Sequence, residues 1–225
     1  KNIKKVTWLT NTPPEGYGQL NATVNYAAND LYASLSNVTV YPYLSSLFEV
    51  DGVKFVPISP SDRTCNVIDC AYDSTSVHIN IGETVSYKGI EMSVQKIMPY
   101  SFYNNDCIET ATIDFGNSIS EYCFYGCNNM QAITLGENIQ SIGNYAFTYC
   151  NNLQEIAIPY SVDSIGEYAF SNCTSMSTAT IGSGVINNYA FNNCTNLASL
   201  TMGSGVQSIG EYAFQSCKNM TTANM

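Results

Sequence analysis

Phenylalanine recurs through the second half of this 225-residue chain with a nearly fixed period. Phe102, Phe124, Phe147, Phe170, Phe191 and Phe214 stand 22, 23, 23, 21 and 23 residues apart, inside a repeated Ile-x-x-Tyr-Ala-Phe-x-x-Cys-x-x-Leu phrase. A period in this range marks a stacked array of small units. Such a unit cannot bury its apolar face alone and must pack on its neighbours, so function belongs on long surfaces rather than in a central pocket.

Counting from each Phe resolves one unit. Five places before it come Ile97, Ile119, Ile142, Ile165, Ile186 and Ile209, and one place before it come Ser101, Cys123, Ala146, Ala169, Ala190 and Ala213. Four-residue spacing puts the Ile and the small residue on one face of a short helical turn. Gly143, Gly166 and Gly210 follow the Ile, where a tight entry to that turn wants freedom in φ. Nine and eleven places after the Phe come pairs such as Ile133 and Leu135 or Ile156 and Ile158, the two-residue alternation of a half-buried strand. Each unit therefore reads as helical turn, corner, strand, corner, with the strands paired in parallel into one long sheet. Upstream, Asp51-Gly52 and Tyr87-Lys88-Gly89 are turn signals between β-rich runs, which predicts antiparallel hairpins over 48–96. A short helix over Tyr26 to Leu35 is a further expectation.

The net charge of −10 is unevenly placed, because residues 97–225 carry nine acids against Lys218 alone, or −8. A surface so poor in Lys and Arg lacks the basic contacts that nucleic acid and anionic lipid require. Neither is an expected partner. No stretch of about 18 uncharged apolar residues exists that could insert in a membrane. The Lys1-Asn2-Ile3-Lys4-Lys5 start is followed by no apolar signal core, so a secretion signal or lipid anchor is expected upstream.

The phrases Ser141-Ile142-Gly143-Asn144-Tyr145-Ala146-Phe147 and Ile158-Pro159-Tyr160-Ser161-Val162-Asp163-Ser164-Ile165-Gly166 resemble the BspA-type leucine-rich repeats of surface proteins from host-associated anaerobic bacteria. Phe48-Glu49-Val50-Asp51-Gly52-Val53-Lys54-Phe55 resembles the strand-rich stretch that often precedes such repeats, and Thr12-Pro13-Pro14 is similar to the close of an earlier repeat block. The expected class is α/β: a right-handed leucine-rich-repeat solenoid of short parallel strands and helical turns over 97–225, a β-hairpin-rich region over 48–96, and the tail of a preceding repeat-like block over 1–47. The resemblance implies an exported, surface-displayed protein that binds other macromolecules, an adhesin towards host extracellular proteins, with a glycan-binding component or an architectural spacer as alternatives.

Two surface columns are candidates for contact. Tyr100, Tyr122, Tyr145, Tyr168, Tyr189 and Tyr212 recur two places before each Phe. They read either as rings covering their neighbours or as an exposed binding ribbon. Thr110, Thr112, Thr134, Glu155, Thr178, Thr180, Ser199 and Thr201 occupy outward strand positions, where Thr is also simply favoured. Beside the tyrosines, Glu121, Asn144, Glu167, Asn188 and Glu211 alternate so that carboxylates do not face one another.

Five of nine cysteines, Cys127, Cys150, Cys173, Cys194 and Cys217, recur three places after the Phe. A column spreads ligands along a line and suits no metal, so these read as buried thiols meeting a corner carbonyl. Cys65 and Cys70 could bridge across a loop in an oxidising compartment. The single histidine, His78, lies in a Ser/Thr-rich segment with no partner of a nucleophilic pair, and no nucleotide fingerprint appears. Neither catalysis nor a cofactor is expected.

Overall fold

A computed structural model describes residues 47–59, 62–70 and 77–224. The expected helix over Tyr26–Leu35, the Thr12-Pro13-Pro14 likeness and, apart from Leu47, the preceding repeat-like block lie outside these residues.

Strand β1 (Phe48–Val50) turns into β2 (Val53–Ser59) through Asp51 and Gly52, at φ 49° and 76°. Two consecutive positive φ values match the twist of a two-residue hairpin. Strand β3 (Thr64–Cys70) lies antiparallel to β2. After β4 (Val77–Gly82), β5 (Thr84–Tyr87) turns through Lys88 and Gly89, at φ 52° and 79°, into β6 (Ile90–Ile97). The sheet runs in the order β1-β2-β3-β6-β5. Two strands depart from the hairpin expectation. β3 pairs in parallel with β6, setting Val67 beside Ile97, and β4 leaves this sheet altogether. Two-residue alternation specifies which side chains are buried but not the direction of the neighbouring strand.

β4 is in effect the first strand of the array. It pairs in parallel with β7 (Ile108–Asp114), with Ile79 and Ile81 buried in register with Ala111 and Ile113. The remaining elements are β8 (Asn117–Ile119), β9 (Ala132–Leu135), β10 (Ile139–Ile142), β11 (Glu155–Ile158), β12 (Ser164–Ile165), β13 (Thr178–Ile186), β14 (Ser199–Ile209) and β15 (Thr222–Asn224). They make two parallel ladders instead of the single sheet expected. One joins β4, β7 and β9, continues by the Gln154 amide donating to the Gln131 carbonyl at 3.1 Å, and runs on through β11, β13, β14 and β15. The other joins β8, β10, β12 and the second halves of β13 and β14, ending on the Ile119, Ile142, Ile165, Ile186 and Ile209 column.

That column corrects the fold class. Among the described residues there is no helix, so the α/β assignment and its helical turns give way to an all-strand solenoid with turns at the corners. In the third unit the Ala146 amide reaches Gly143, Thr148 reaches Tyr145, Cys150 reaches Phe147 and Leu153 reaches Cys150, each a three-residue return of 3.1–3.3 Å. These returns cannot merge into a helix because two residues per unit are left-handed. Tyr100, Tyr122, Tyr145, Tyr168, Tyr189 and Tyr212 have φ of 54–63°, as do, two places after the Phe, Asn104, Tyr149, Asn172, Asn193 and Ser216 at 54–62°. Freed from helical bonding, the corner amides bond the next turn: Phe147 donates to Ala169 at 2.7 Å and Tyr145 to Glu167 at 2.9 Å.

A left-handed tyrosine is costly, about 1–2 kcal/mol for an L-residue, so this backbone constrains what can replace it. Tyr168→Val should lower thermal stability more than Tyr168→Asn. Both lose the ring, but a β-branched residue fits φ 55° poorly while asparagine visits it readily. Equal melting temperatures for the two variants would show that the corner relaxes away from the left-handed region.

The Phe rings fill the interior. Phe102, Phe124, Phe147, Phe170 and Phe191 are wholly buried, stacked at centroid separations of 4.9–5.2 Å. Each column thiol donates to the Phe carbonyl of the preceding turn: Cys127 to Phe102, Cys150 to Phe124, Cys173 to Phe147, Cys194 to Phe170 and Cys217 to Phe191, at 3.0–3.2 Å. The corner-carbonyl expectation is therefore met. Gly143, Gly166 and Gly210 do not have positive φ. A Cβ on them would come within 2.5–2.6 Å of the backbone nitrogens of Glu121, Asn144 and Asn188, so glycine permits close approach of turns rather than a special turn geometry.

Candidate functional site

The tyrosine column is one continuous stack. Successive centroids from Tyr100 to Tyr212 lie 4.9, 4.8, 5.0, 4.7 and 5.1 Å apart, with planes within 18° of parallel. The rings are half-buried, except Tyr212, which is 54% exposed. Packing and exposure are thus both present. Each interior ring lays its faces against its neighbours and leaves edges to solvent. Burial, followed by neighbouring charges and phenols, pushes the Tyr100, Tyr122 and Tyr125 hydroxyls up from their ordinary range. They stay protonated at neutral pH and can both donate and accept.

A second tyrosine row escaped the sequence reading. Tyr103 and Tyr125 stack at 4.9 Å, and Tyr149 meets Tyr125 edge-on at 5.5 Å. Tyr103 and Tyr125 follow the Phe directly, whereas Tyr149 sits one place later, so the row has no fixed offset to betray it. The Glu and Asn alternation also acquires a second reason. Asn144 and Asn188 accept the Glu167 and Glu211 amides of the next turn at 2.9 and 2.8 Å, which the carboxylate-spacing argument did not foresee.

The strand face carries two outward columns in register. One runs His78, Thr110, Ala132 and, beyond β9, Glu155, Thr178 and Ser199; the other runs Asn80, Thr112, Thr134 and then Ala157, Thr180 and Thr201. His78, on β4, is exposed, with Nδ1 2.5 Å from the Thr110 hydroxyl, so it begins the hydroxyl column. Thr134, Thr178, Thr180 and Thr201 are exposed, and Thr110 and Thr112 are half-buried.

Cys65 and Cys70 occupy one strand, not a loop. Five residues of strand separate them by about 16 Å, well beyond bridging reach. Cys65 donates to the Ser93 carbonyl at 3.7 Å, and Cys70 accepts from the buried Asn105, which takes the cysteine place in the first unit, at 2.8 Å. Burial pushes both thiols up to about 12. Among the described residues, no three His, Cys, Asp or Glu side chains come together as metal ligands.

Residues 117–225 match the family described as "BspA type Leucine rich repeat region", in six copies. No curated protein sequence matches the chain. Three solved structures share its fold. A T. pallidum leucine rich repeat protein (TpLRR) is 16% identical with a TM-score of 0.54, over 77% of this chain and 90% of its own. A leucine rich cell surface protein from Faecalibacterium prausnitzii A2-165 is 20% identical with a TM-score of 0.55, over 79% of this chain and 54% of its own. The pneumococcal vaccine antigen PcpA is 19% identical with a TM-score of 0.58, over 79% of this chain and 48% of its own. The chain thus spans about half the length of the last two.

Proposed function

Because residues 117–225 belong to the BspA-type leucine-rich repeat family, we propose that this chain is a non-enzymatic protein-binding module displayed at a bacterial cell surface, an adhesin towards host extracellular proteins. The observation that carries this reading is the unbroken tyrosine stack, half-exposed over six turns and edged by Glu121, Glu167 and Glu211. Tyr122, Tyr145, Tyr168, Tyr189 and Tyr212 supply a long, rigid contact. Rings already held by stacking lose little freedom on binding, which is why aromatic anchors dominate interfaces. The charge of the repeat block, with no Lys or Arg between residues 97 and 217, argues against nucleic acid and anionic lipid as partners.

The in-register hydroxyl columns through Thr112, Thr134, Thr180 and Thr201 favour glycan binding as a second reading. Binding to immobilised matrix glycoproteins, before and after their deglycosylation, separates the two. The combined Tyr145→Asn, Tyr168→Asn and Tyr189→Asn variant should bind at least about tenfold more weakly, a loss of about 1.4 kcal/mol, with binding unaffected by deglycosylation. Loss confined to a Thr112→Ala, Thr134→Ala and Thr180→Ala variant, and abolished by deglycosylation, would transfer the site to the strand face. Absence of binding by the unaltered protein would leave a spacer.

A further inference from the structure

The two tyrosine rows coincide only at the N-terminal end of the array. There Tyr100 and Tyr103 form a tilted pair with centroids 5.7 Å apart and planes at 48°, and Tyr122 and Tyr125 repeat it at 5.7 Å and 46°. Tyr145 and Tyr149 extend the two rows by one turn. From Ser171 onward, the place after the Phe is held by Ser171, Asn192 and Gln215, and the aromatic surface narrows to a single ring.

Folding does not require the second row. The Tyr103 and Tyr125 amides make the corner return to Tyr100 and Tyr122 at 3.1 and 3.3 Å, and Ser171 and Asn192 make the same return to Tyr168 and Tyr189 at 3.0 Å. Tyr103 and Tyr149 are 37% and 43% exposed, so their rings add little to the core. Large rings kept in solvent, at positions where small polar residues serve the fold equally well, mark a contact surface.

We infer that this double row binds a proline-rich segment of a protein partner, in the polyproline II conformation and carrying arginine or lysine. The inference rests on the protein-binding reading above and specifies the segment recognised. The rings advance 4.9 Å per turn from Tyr100 to Tyr122 and from Tyr103 to Tyr125, and 4.8 Å from Tyr122 to Tyr145. Two turns thus cover about the same distance as three residues of polyproline II, ~9.3 Å at 3.1 Å each. Prolines three apart would meet alternate turns of the double row, the Tyr100–Tyr103 pair and then the Tyr145 and Tyr149 rings. A β-strand ligand repeats at roughly 6.8 Å and falls out of step. The ligand's carbonyls are unbonded within a polyproline II helix and can accept from protonated phenols. Sugars prefer open ring faces, whereas most rings here face one another. Glu121, which acts electrostatically on both Tyr100 and Tyr122, and the absence of Lys and Arg from 97 to 217 select a basic residue in the ligand.

Calorimetric titration of the whole chain with a peptide of four Pro-Pro-Arg triplets tests this. Binding is expected, weakening at least about tenfold when Tyr103→Ser, Tyr125→Ser and Tyr149→Ser are combined, and unchanged in a Tyr160→Ser variant, whose 65% exposed ring belongs to neither row. A matching Pro-Pro-Glu peptide should not bind. Circular dichroism of each variant controls for folding. No heat with the Pro-Pro-Arg peptide, equal binding of the Pro-Pro-Glu peptide, or retention of affinity by the folded triple variant would overturn the inference. Should matrix-protein binding survive in that triple variant while Tyr145→Asn, Tyr168→Asn and Tyr189→Asn abolish it, the adhesin reading stands and the proline-rich ligand falls.

Discussion

Phe147→Ala should destabilise the protein by about 3–5 kcal/mol, the cost of truncating a fully buried aromatic ring and leaving a cavity. Phe147 has no exposed surface and stacks on Phe124 at 5.2 Å and Phe170 at 5.1 Å. Its amide and carbonyl also tie its own turn to the next: the amide donates to Ala169, and the carbonyl accepts the Cys150 amide and the Cys173 thiol. An alanine keeps those backbone bonds but leaves a void the neighbouring turns cannot close without losing their pitch. The comparison variant is Tyr145→Asn, two residues away in the same corner. It removes two ring contacts worth about 0.5–1.5 kcal/mol each, but relieves left-handed strain at φ 58°. Denaturant unfolding should therefore separate the two clearly. Equal losses would mean that the tyrosine stack, not the Phe spine, carries the array.

Raising the pH above about 9 should destabilise the chain progressively through its buried thiols. Burial pushes the thiols of Cys65, Cys70 and Cys173 from 9.0 up to about 12, with the Asp69 charge adding to burial at Cys70. Cys123 and Cys150 move the same way, burial again the largest cause. The fold keeps these protons while the unfolded chain releases them above 9. Their stabilisation is complete below pH 9 and is lost as pH climbs towards 12. The loss is about 1.4 kcal/mol per thiol per pH unit, so three thiols remove about 4 kcal/mol by a pH near 10. Melting temperatures from pH 7 to 10.5 provide the measurement, and Cys173→Ala should show a shallower decline than the unaltered chain. A flat profile to pH 10.5 would show that the thiols exchange with solvent in the folded state.

At the last turn the thiols differ. Contact with Cys217, and then burial, pushes Cys194 up, while contact with Cys194 pulls the half-buried Cys217 down. Cys217 itself therefore adds nothing to the alkaline loss, but removing it takes away the largest cause of the rise at Cys194 and should make the decline shallower.

What the amino-acid order determined by itself was periodic. The spacing of the Phe, Ile and Cys columns specified a stacked array, its inward faces and the thiol meeting a carbonyl, because each repeats an identical local environment that one turn imposes on the next. Asp51-Gly52 and Lys88-Gly89 marked hairpin turns because a positive φ has few candidate residues. Three things were left to tertiary structure. The corner became a pair of left-handed kinks, not a helix, with alternate amides, Tyr145, Phe147 and Tyr149 in the third unit, bonding the next turn's carbonyls instead of their own. Tyrosine is a poor advertisement for φ 58°, although the Asn104, Asn172 and Asn193 series two places after the Phe held a readable hint. β3 paired in parallel with β6 and β4 joined the array in parallel with β7 because alternation is blind to strand direction, which concealed that His78 and Asn80 extend the hydroxyl face. The double tyrosine row exists only once turns are stacked, since Tyr103, Tyr125 and Tyr149 are 22 and 24 residues apart in the chain and in ring contact in space, and adjacency along a solenoid axis is set by pitch, not by sequence neighbours.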